Sequence, residues 1–528
     1  MSLERAVEKR MSKVQKRSLR EWRVGLVLIL CLIWIFGSGS RLKYTEDRTP
    51  TVLNPIYADD MYSVRSTELV FEQLIGWDKE QRPSPMLATS WKMAKNKRSI
   101  VLNLRKNVYW HDGKQFTADD VIFTIKTMTS SRAQLTDRYL ASILKAPKKN
   151  NKFQLTIYFK KPLNRPLKWL QFKIIPAHPF KKRRVSRRHI FNQRPVGTGP
   201  YKFKRWVGRK IQFVRYKKHW RGTSKIKIKK VSLQAIPDKN IQVAVLQYGG
   251  LDAIIRVRPK DIPTFEKNRN VQLYPYSTND WWYIGLNHRR RSILKNQSVR
   301  EALIYALDRE NLQQAHLGDG QVISGPFSPN DPLYNFSVNP RTQNLSKAKA
   351  LLKKAGWKAK SGKTYRYKGG KELSLRLLVP KSKSSYKALC QGIKGELAKV
   401  GVKVILVWLD DTAWSRSVMK SGKFDMALHI WNFDDLASIY PLFHSKGTRN
   451  YIGYKNKEVD RLLKQATRTT DPVIYKAIYG KIHKLLHKEL PYLFLWSLTN
   501  YSAVSSKVRR VTIHPFNYFH YVHSWKRK

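Results

Sequence analysis

The stretch from Leu104 to Phe123, LRKNVYWHDGKQFTADDVIF, compresses a strand, a sharp reversal and the start of a helix into twenty residues. Leu104, Val108 and Trp110 fall on one side of an extended run, and Asp112-Gly113 supplies the left-handed backbone that a tight turn needs. Thr117 predicts a helix N-cap, with Ala118, Asp119 and Asp120 in the first turn, where carboxylates meet the positive end of the helix dipole. Nothing here has the arrangement of a nucleophile or a metal cage. His111 and Asp112 are adjacent in a strand and point to opposite faces, so they cannot readily share a proton. The stretch reads as scaffold.

Further motifs follow along the chain: LNP at Leu53 to Pro55, FEQL at Phe71 to Leu74, PMLATSW at Pro85 to Trp91 and PVGTGPY at Pro195 to Tyr201. Later come LQYGGLD at Leu246 to Asp252, VREALIYALDR at Val299 to Arg309, KAKALLKKAGW at Lys347 to Trp357 and FDMAL at Phe424 to Leu428. YIGYKNKEVDRLL at Tyr451 to Leu463, TDP at Thr470 to Pro472 and LPYLFLW at Leu490 to Trp496 close the series. In this order they resemble the family 5 bacterial extracellular solute-binding proteins, the peptide-binding receptors of ABC importers. The resemblance covers nearly everything after about residue 45. It implies an α/β, two-lobed periplasmic-binding-protein fold, class II-like and of the large peptide-binding type. On that pattern the first lobe spans 44–280, with an inserted subdomain at about 66–190, and the second spans 281–494. Residues 495–528 return to the first lobe.

Length agrees with such a division, because 528 residues exceed what one hydrophobic core accommodates. Cys31 and Cys390 imply no disulfide framework. Residues 1–43 read as a basic n-region followed by a signal or anchor segment, a hydrophobic leader helix. Its apolar run, Val24 to Phe36, is short for a full bilayer span and suits an export signal. Gly37 to Ser40 could be a cleavage site, or the segment could remain as an anchor in a thinned bilayer. A lipoprotein reading of Cys31 is weaker, since Leu28, Ile29 and Leu30 lack the small residue such a cut needs. In each case the positive residues before the apolar run keep the N-terminus inside, and the body faces the periplasm or the outer side of the cytoplasmic membrane.

The formal charge of +67 suggests nucleic acid at first sight. The basic residues are nevertheless spread along the whole chain, and no recognition helix, zinc knuckle or RNA-binding strand accompanies them. They fit a solvated surface that is attracted to anionic lipid or cell-wall polymers as a by-product. No specific nucleic-acid partner is expected, and the protein is expected to be a monomer.

Residues from about 45 to 275 read mainly as strands with helices between them, Phe153 to Lys160 and Lys225 to Gln234 alternating at period two. The glycines of Pro195 to Pro200 allow close backbone approach. Gly197-Thr198-Gly199 lacks the Lys-Ser/Thr and the helix of a phosphate-binding loop, so a structural turn is expected. From about 285 the texture becomes alternating helix and strand: Ser298 as N-cap with Glu301 as capping box, a helix over Ser384 to Lys399, strands over Val402 to Trp408 and Asp425 to Trp431. In the helix after Pro472, His483 and His487 have the spacing of a zinc pair but are expected on its polar side.

Site expectations follow from the resemblance. In peptide-binding members an Asp three residues after a Trp at a strand end meets the ligand's amino group, and Trp431-Asn432-Phe433-Asp434 has that spacing. Asp434 is the leading ligand contact, Asp435 its neighbour by a one-residue shift, and Trp431 part of the same motif. The family's usual Asp-Pro after the acid is missing. The loop after LLVP supplies Lys381-Ser382-Lys383 in place of an Arg, leaving Lys383 as a point charge for the ligand's carboxylate. Trp281, Trp282 and Tyr283 lie where the chain passes between lobes and either line the cleft or pack at the hinge. No catalytic pair, nucleophile elbow or metalloprotease helix is present, so an enzyme is not expected, nor a cofactor or metal. The expected partners are a peptide and the permease and ATPase subunits of an importer. The alternatives are another solute, such as a nickel chelate, haem or an oligosaccharide, and a basic envelope protein that binds polyanions.

Overall fold

A computed structural model describes residues 40–528, except 79–81, 131–138, 164–165, 181–184, 278–279, 290–291, 432–438, 470 and 515–516. The leader and Cys31 lie outside the described residues, as do Asp434 and Asp435. No helix among the described residues is long and apolar enough to cross a membrane.

Two large sheets carry the architecture. The first has eight strands, in the spatial order Val271–Ser277, Trp496–Ser505, Ala253–Ile254, Arg41–Glu46, Lys230–Ala235, Lys210–Arg215 and Tyr201–Val207, with Gly320–Val322 pairing the start of Trp496–Ser505. Leu42 and Tyr44, Val231 and Leu233, Ile211 and Phe213 are all buried in one core with Trp525 and Phe519, and on the central strands the intervening Lys43, Thr45 and Ser232 are buried as well. The second sheet runs Lys403–Leu409, Ser374–Pro380, Met426–Trp431, Trp281–Leu286 and Tyr492–Phe494. Its first three strands are mutually parallel, which requires crossover connections, and the helix Lys387–Ala398 supplies one of them. The chain passes from the first sheet to the second between Ser277 and Trp281, and back at Leu495.

A smaller sheet of Ala88–Met93, Ser99–Leu104, Gln154–Tyr158 and Lys148–Asn151 packs on the helix Ala118–Thr129. The Leu104 to Phe123 stretch leads from the end of one of these strands into that helix. Leu104, Val108 and Trp110 are buried as expected, although the strand ends at Leu104 and a turn separates it from Val108. Gly113 has φ of 91°. Thr117 and Asp120 form a reciprocal capping box, and Asp120 also accepts from Trp110 Nε1 at 3.2 Å and Ala177 N at 2.9 Å. The His111 ring bridges the PVGTGPY loop: Nδ1 accepts from Gly197 N at 3.2 Å, and Nε2 donates to Gly199 O at 2.9 Å. Asp112 pairs instead with His178 at 2.5 Å.

Three local expectations are corrected. The cap of the helix Gln297–Ala306 is Asn296, whose side chain accepts from Val299 N; Glu301 accepts from Gln297 Nε2 at 3.0 Å, one residue further back than a capping box from Ser298 would place its partner. Before Lys230 the Lys225 to Gln234 run is not strand, because Thr223–Lys225 forms a 3-10 turn. His483 is fully buried rather than on a polar face. Residues 324–335 cover that side of the helix Pro472–Glu489, and the ring meets Ser324 Oγ at 2.9 Å and Asn335 N at 3.2 Å.

Burial and then the neighbouring His487 push the His483 pKa down to about 4. A base with a folded pKa below its ordinary 6.5 lets the unfolded chain bind the extra proton first. Its stabilising contribution is thus full above about pH 6.5 and is lost as pH falls toward 4. His483→Gln should flatten the acid side of the stability profile by on the order of 2 kcal/mol between pH 7 and 4. Urea unfolding across that range measures it, and profiles of equal slope would contradict it.

Candidate ligand-binding site

In α/β sheets the carboxyl ends of parallel strands open toward loops whose backbone groups and side chains are free to meet a ligand. The second sheet has such an edge, and a cavity of about 380 Å³ lies there. Val379 and Pro380 end one strand, and Ser382, Lys383 and Tyr386 belong to the turn after it. Asp411, Trp414 and Ser415 come from the short helix after Lys403–Leu409. Leu428, His429 and Ile430 come from the third parallel strand and Trp282 from its antiparallel neighbour.

Its walls are held from behind. Asp410 caps the helix Asp411–Ser415 through Ala413 N at 2.8 Å, which aims Trp414 inward, and Trp414 Nε1 donates to Leu378 O at 3.3 Å. The Trp414 and His429 rings stack at 4.8 Å and 20°. Tyr386 stands edge-on to Trp282 at 4.8 Å. Ser382 Oγ donates to Asp411 Oδ1 at 2.7 Å, tying the turn to the helix. Together these make a preformed slot with aromatic walls and a polar rim, the usual composition of a small-ligand site.

The electrostatics are mixed. Burial lowers the Lys383 pKa, and the guanidinium of Arg256 adds to this while Asp411 and Asp280 oppose it. Arg256 is exposed and follows the strand Ala253–Ile254 of the first sheet, so its charge reaches Lys383 from the other side of the interval between sheets. Burial pushes His429 down to about 4, with Lys383 acting in the same direction. The ring is neutral at pH 7.

Strand geometry sorts the Trp281, Trp282, Tyr283 triplet. Successive residues of a strand face opposite ways, so Trp282 lines the cavity while Trp281 and Tyr283 enter an aromatic block on the other face, 1% and 0% exposed. Tyr283 stacks on Tyr492 at 4.4 Å and lies parallel to Trp431 at 6.1 Å. Trp431 is itself buried in that block, with the Arg449 guanidinium 5.8 Å from its ring centre. It anchors the end of the strand from which residues 432–438 continue. Sequence reasoning missed Trp414, His429, Tyr386, Asp411 and Arg256. The available signal was positional, since the first four sit at or just beyond the carboxyl ends of parallel strands. Among the described residues, no three His, Cys, Asp or Glu side chains converge on a metal position.

Comparison with known proteins decides the family. The model of the bacterial extracellular solute-binding proteins, family 5 (Middle), matches residues 82–450. The chain belongs to this family. The oligopeptide-binding protein AppA of Bacillus subtilis is 28% identical over 494 residues, spanning 90% of this chain and 89% of that one. Heme-binding protein A of Haemophilus influenzae is 25% identical, spanning 91% of each. The solved structure of the Bacillus AppA protein, in complex with a nonapeptide, superposes with a TM-score of 0.77 at 27% identity, covering 92% of this chain and 99% of that one. This family 5 protein thus has the two-lobed fold of the solute-binding proteins. The relatives named here carry names that say what they bind.

Proposed function

We propose that this protein is the peptide-capturing component of an ABC importer, closing two lobes over a di- or oligopeptide and presenting it to a membrane permease. The observation that carries the reading is the aromatic-walled cavity at the carboxyl edge of the second sheet, with Lys383 on its rim and the strand Met426–Trp431 ending at the same edge. Its similarity to an oligopeptide-binding protein over nine-tenths of the chain supports the choice of ligand. The first lobe is residues 44–280 with 495–528, the second 281–494, and the two crossings near 280 and at Leu495 serve as hinges.

A peptide lying across the interval between lobes can be held through its backbone, which leaves the slot to take one side chain. Asp434, or Asp435 beside it, meets the ligand's amino group. Lys383 and Arg256 approach its carboxylate from opposite lobes, so two point charges stand in for one bidentate guanidinium. The body works outside the cytoplasmic membrane, as the family name states.

Asp434→Ala should weaken free-amino peptides by on the order of 2 kcal/mol, roughly 30-fold, and leave N-acetylated peptides nearly unchanged. Calorimetric titration of matched peptide pairs reads the difference, and equal losses for both would remove the assigned role. A thermal-shift series over peptides of increasing length, haem and a nickel chelate tests the ligand class, because a ligand bound only by the folded state raises the melting temperature. A shift with haem or nickel and none with any peptide would overturn the peptide reading.

A further inference from the structure

From Arg138 to Pro237 the chain contains no Asp or Glu. The first sheet gathers part of this acid-free run onto one surface. In Lys225 to Lys230, Ile226 and Ile228 are fully buried, whereas Lys225, Lys227, Lys229 and Lys230 are exposed. Neighbouring strands extend the basic surface: Arg41 registers with Lys230, Lys230 with Val214 and Val214 with Lys202. Cross-strand partners share a face, so Arg41, Lys230 and Lys202 stand together, opposite the buried Leu42, Val231 and Phe213. Arg205, in register with Gln212, joins the same face.

The charges there repel one another. Burial lowers the Lys210 pKa, and Arg41 and Arg205 lower it further. Among the described residues, no carboxylate lies within ion-pair distance of Arg41, Lys202, Arg205, Lys225, Lys227, Lys229 or Lys230. Ion pairs do form elsewhere, with Lys149 on Asp119, Lys239 on Asp47 and Arg461 on Glu458. What sets this face apart is that the run supplying most of it contains no carboxylate at all.

Ser40, the first described residue, is bonded to the same place. Lys229 N and Lys230 N donate to Ser40 O at 2.7 and 3.1 Å, and Ser40 Oγ donates to Lys227 O at 2.8 Å. The apolar run Val24 to Phe36 ends four residues before Ser40. Four residues reach at most about 14 Å even when fully extended. A bilayer that takes up the apolar run lies within that distance of the lysine cluster.

We propose that this basic sheet face, Arg41, Lys202 and Lys225 to Lys230, docks on anionic phospholipid headgroups and sets the orientation of the two-lobed body on the membrane. The short connection to an apolar segment selects lipid over a more distant wall polymer, and headgroup phosphates supply the negative charge the face lacks. The proposal is independent of which solute the cleft binds.

The full-length protein, reconstituted in vesicles of phosphatidylglycerol and phosphatidylcholine or of phosphatidylcholine alone, tests it through lysine acetylation read by mass spectrometry. With phosphatidylglycerol, Lys202, Lys225, Lys227, Lys229 and Lys230 should react several-fold more slowly, and high salt should abolish the difference. Lys457, Lys464 and Lys481, exposed on the second lobe, should be unaffected. Combined K202Q, K227Q, K229Q and K230Q should remove the protection of Lys225 without changing the melting temperature, whereas combined K457Q, K464Q and K481Q should leave it intact. No difference between the two vesicle types, or protection spread evenly over both lobes, overturns the proposal. So does equal protection of the same lysines by soluble polyglutamate, which would mark a general polyanion surface.

Discussion

Arg309→Met is expected to destabilise the protein by about 3 kcal/mol or more, because several buried carbonyls lose a charged donor at once. Arg309 is 4% exposed and has no carboxylate partner among the described residues. Its Nη1 donates to Ile323 O at 3.1 Å and Phe494 O at 2.6 Å, and its Nη2 to Arg341 O. Phe494 immediately precedes the crossing at Leu495, and Ile323 follows the strand that pairs the start of Trp496–Ser505. The guanidinium therefore pins the backbone where the chain passes between sheets. Burial, and then Arg341, push its pKa down to about 9, so it remains charged at neutral pH. Methionine fills the volume but donates nothing, and the carbonyls of Ile323 and Phe494 belong to buried residues. Lysine, with a compact head in place of a planar fork, should recover part of the loss and no more. Urea unfolding of the three forms gives the ranking. A Met variant as stable as the parent would show that these carbonyls find other donors.

Gly197→Ala should cost at least about 3 kcal/mol and depress soluble yield, since the obstruction is backbone rather than a yielding side chain. A Cβ at Gly197 would lie 1.8 Å from Val70 O and 2.7 Å from Val70 C. The same oxygen accepts from Gly199 N at 2.8 Å, and His111 holds both glycines from the opposite side. Relief requires the loop to lift away, and all of these bonds go with it. Gly208→Ala is the control: its φ of +51° carries the left-handed penalty, nothing lies within 4 Å, and a loss of about 1 kcal/mol is expected. Equal shifts in the denaturation midpoint for the two variants would mean that conformation, not space, decides at Gly197.

These glycines show what sequence can and cannot convey. That Gly197 and Gly199 allow close backbone approach follows from their type, but that the approaching atom is the carbonyl of Val70 depends on a partner more than a hundred residues away. The same holds at the site. Thr117 and Gly113 are local, and local rules place them correctly. Trp281, Trp282 and Tyr283 look alike in sequence, and only pairing of their strand against both Met426–Trp431 and Tyr492–Phe494 assigns one to the cavity and two to the core. His483 misled for a similar reason, because the residues that cover it lie about 150 positions earlier.

The sequence by itself determined the family, the tight turn at Gly113, the capping box at Thr117 and the excess of positive charge. Each is written in short-range pattern, where side-chain period and turn chemistry act over a few residues. Tertiary structure alone decided where three parallel strands end together, that the charge of Arg256 beyond a strand of the first sheet acts on Lys383, and that the acid-free run bonds to Ser40. Those are juxtapositions of segments distant in sequence, and only the register of the sheets specifies them.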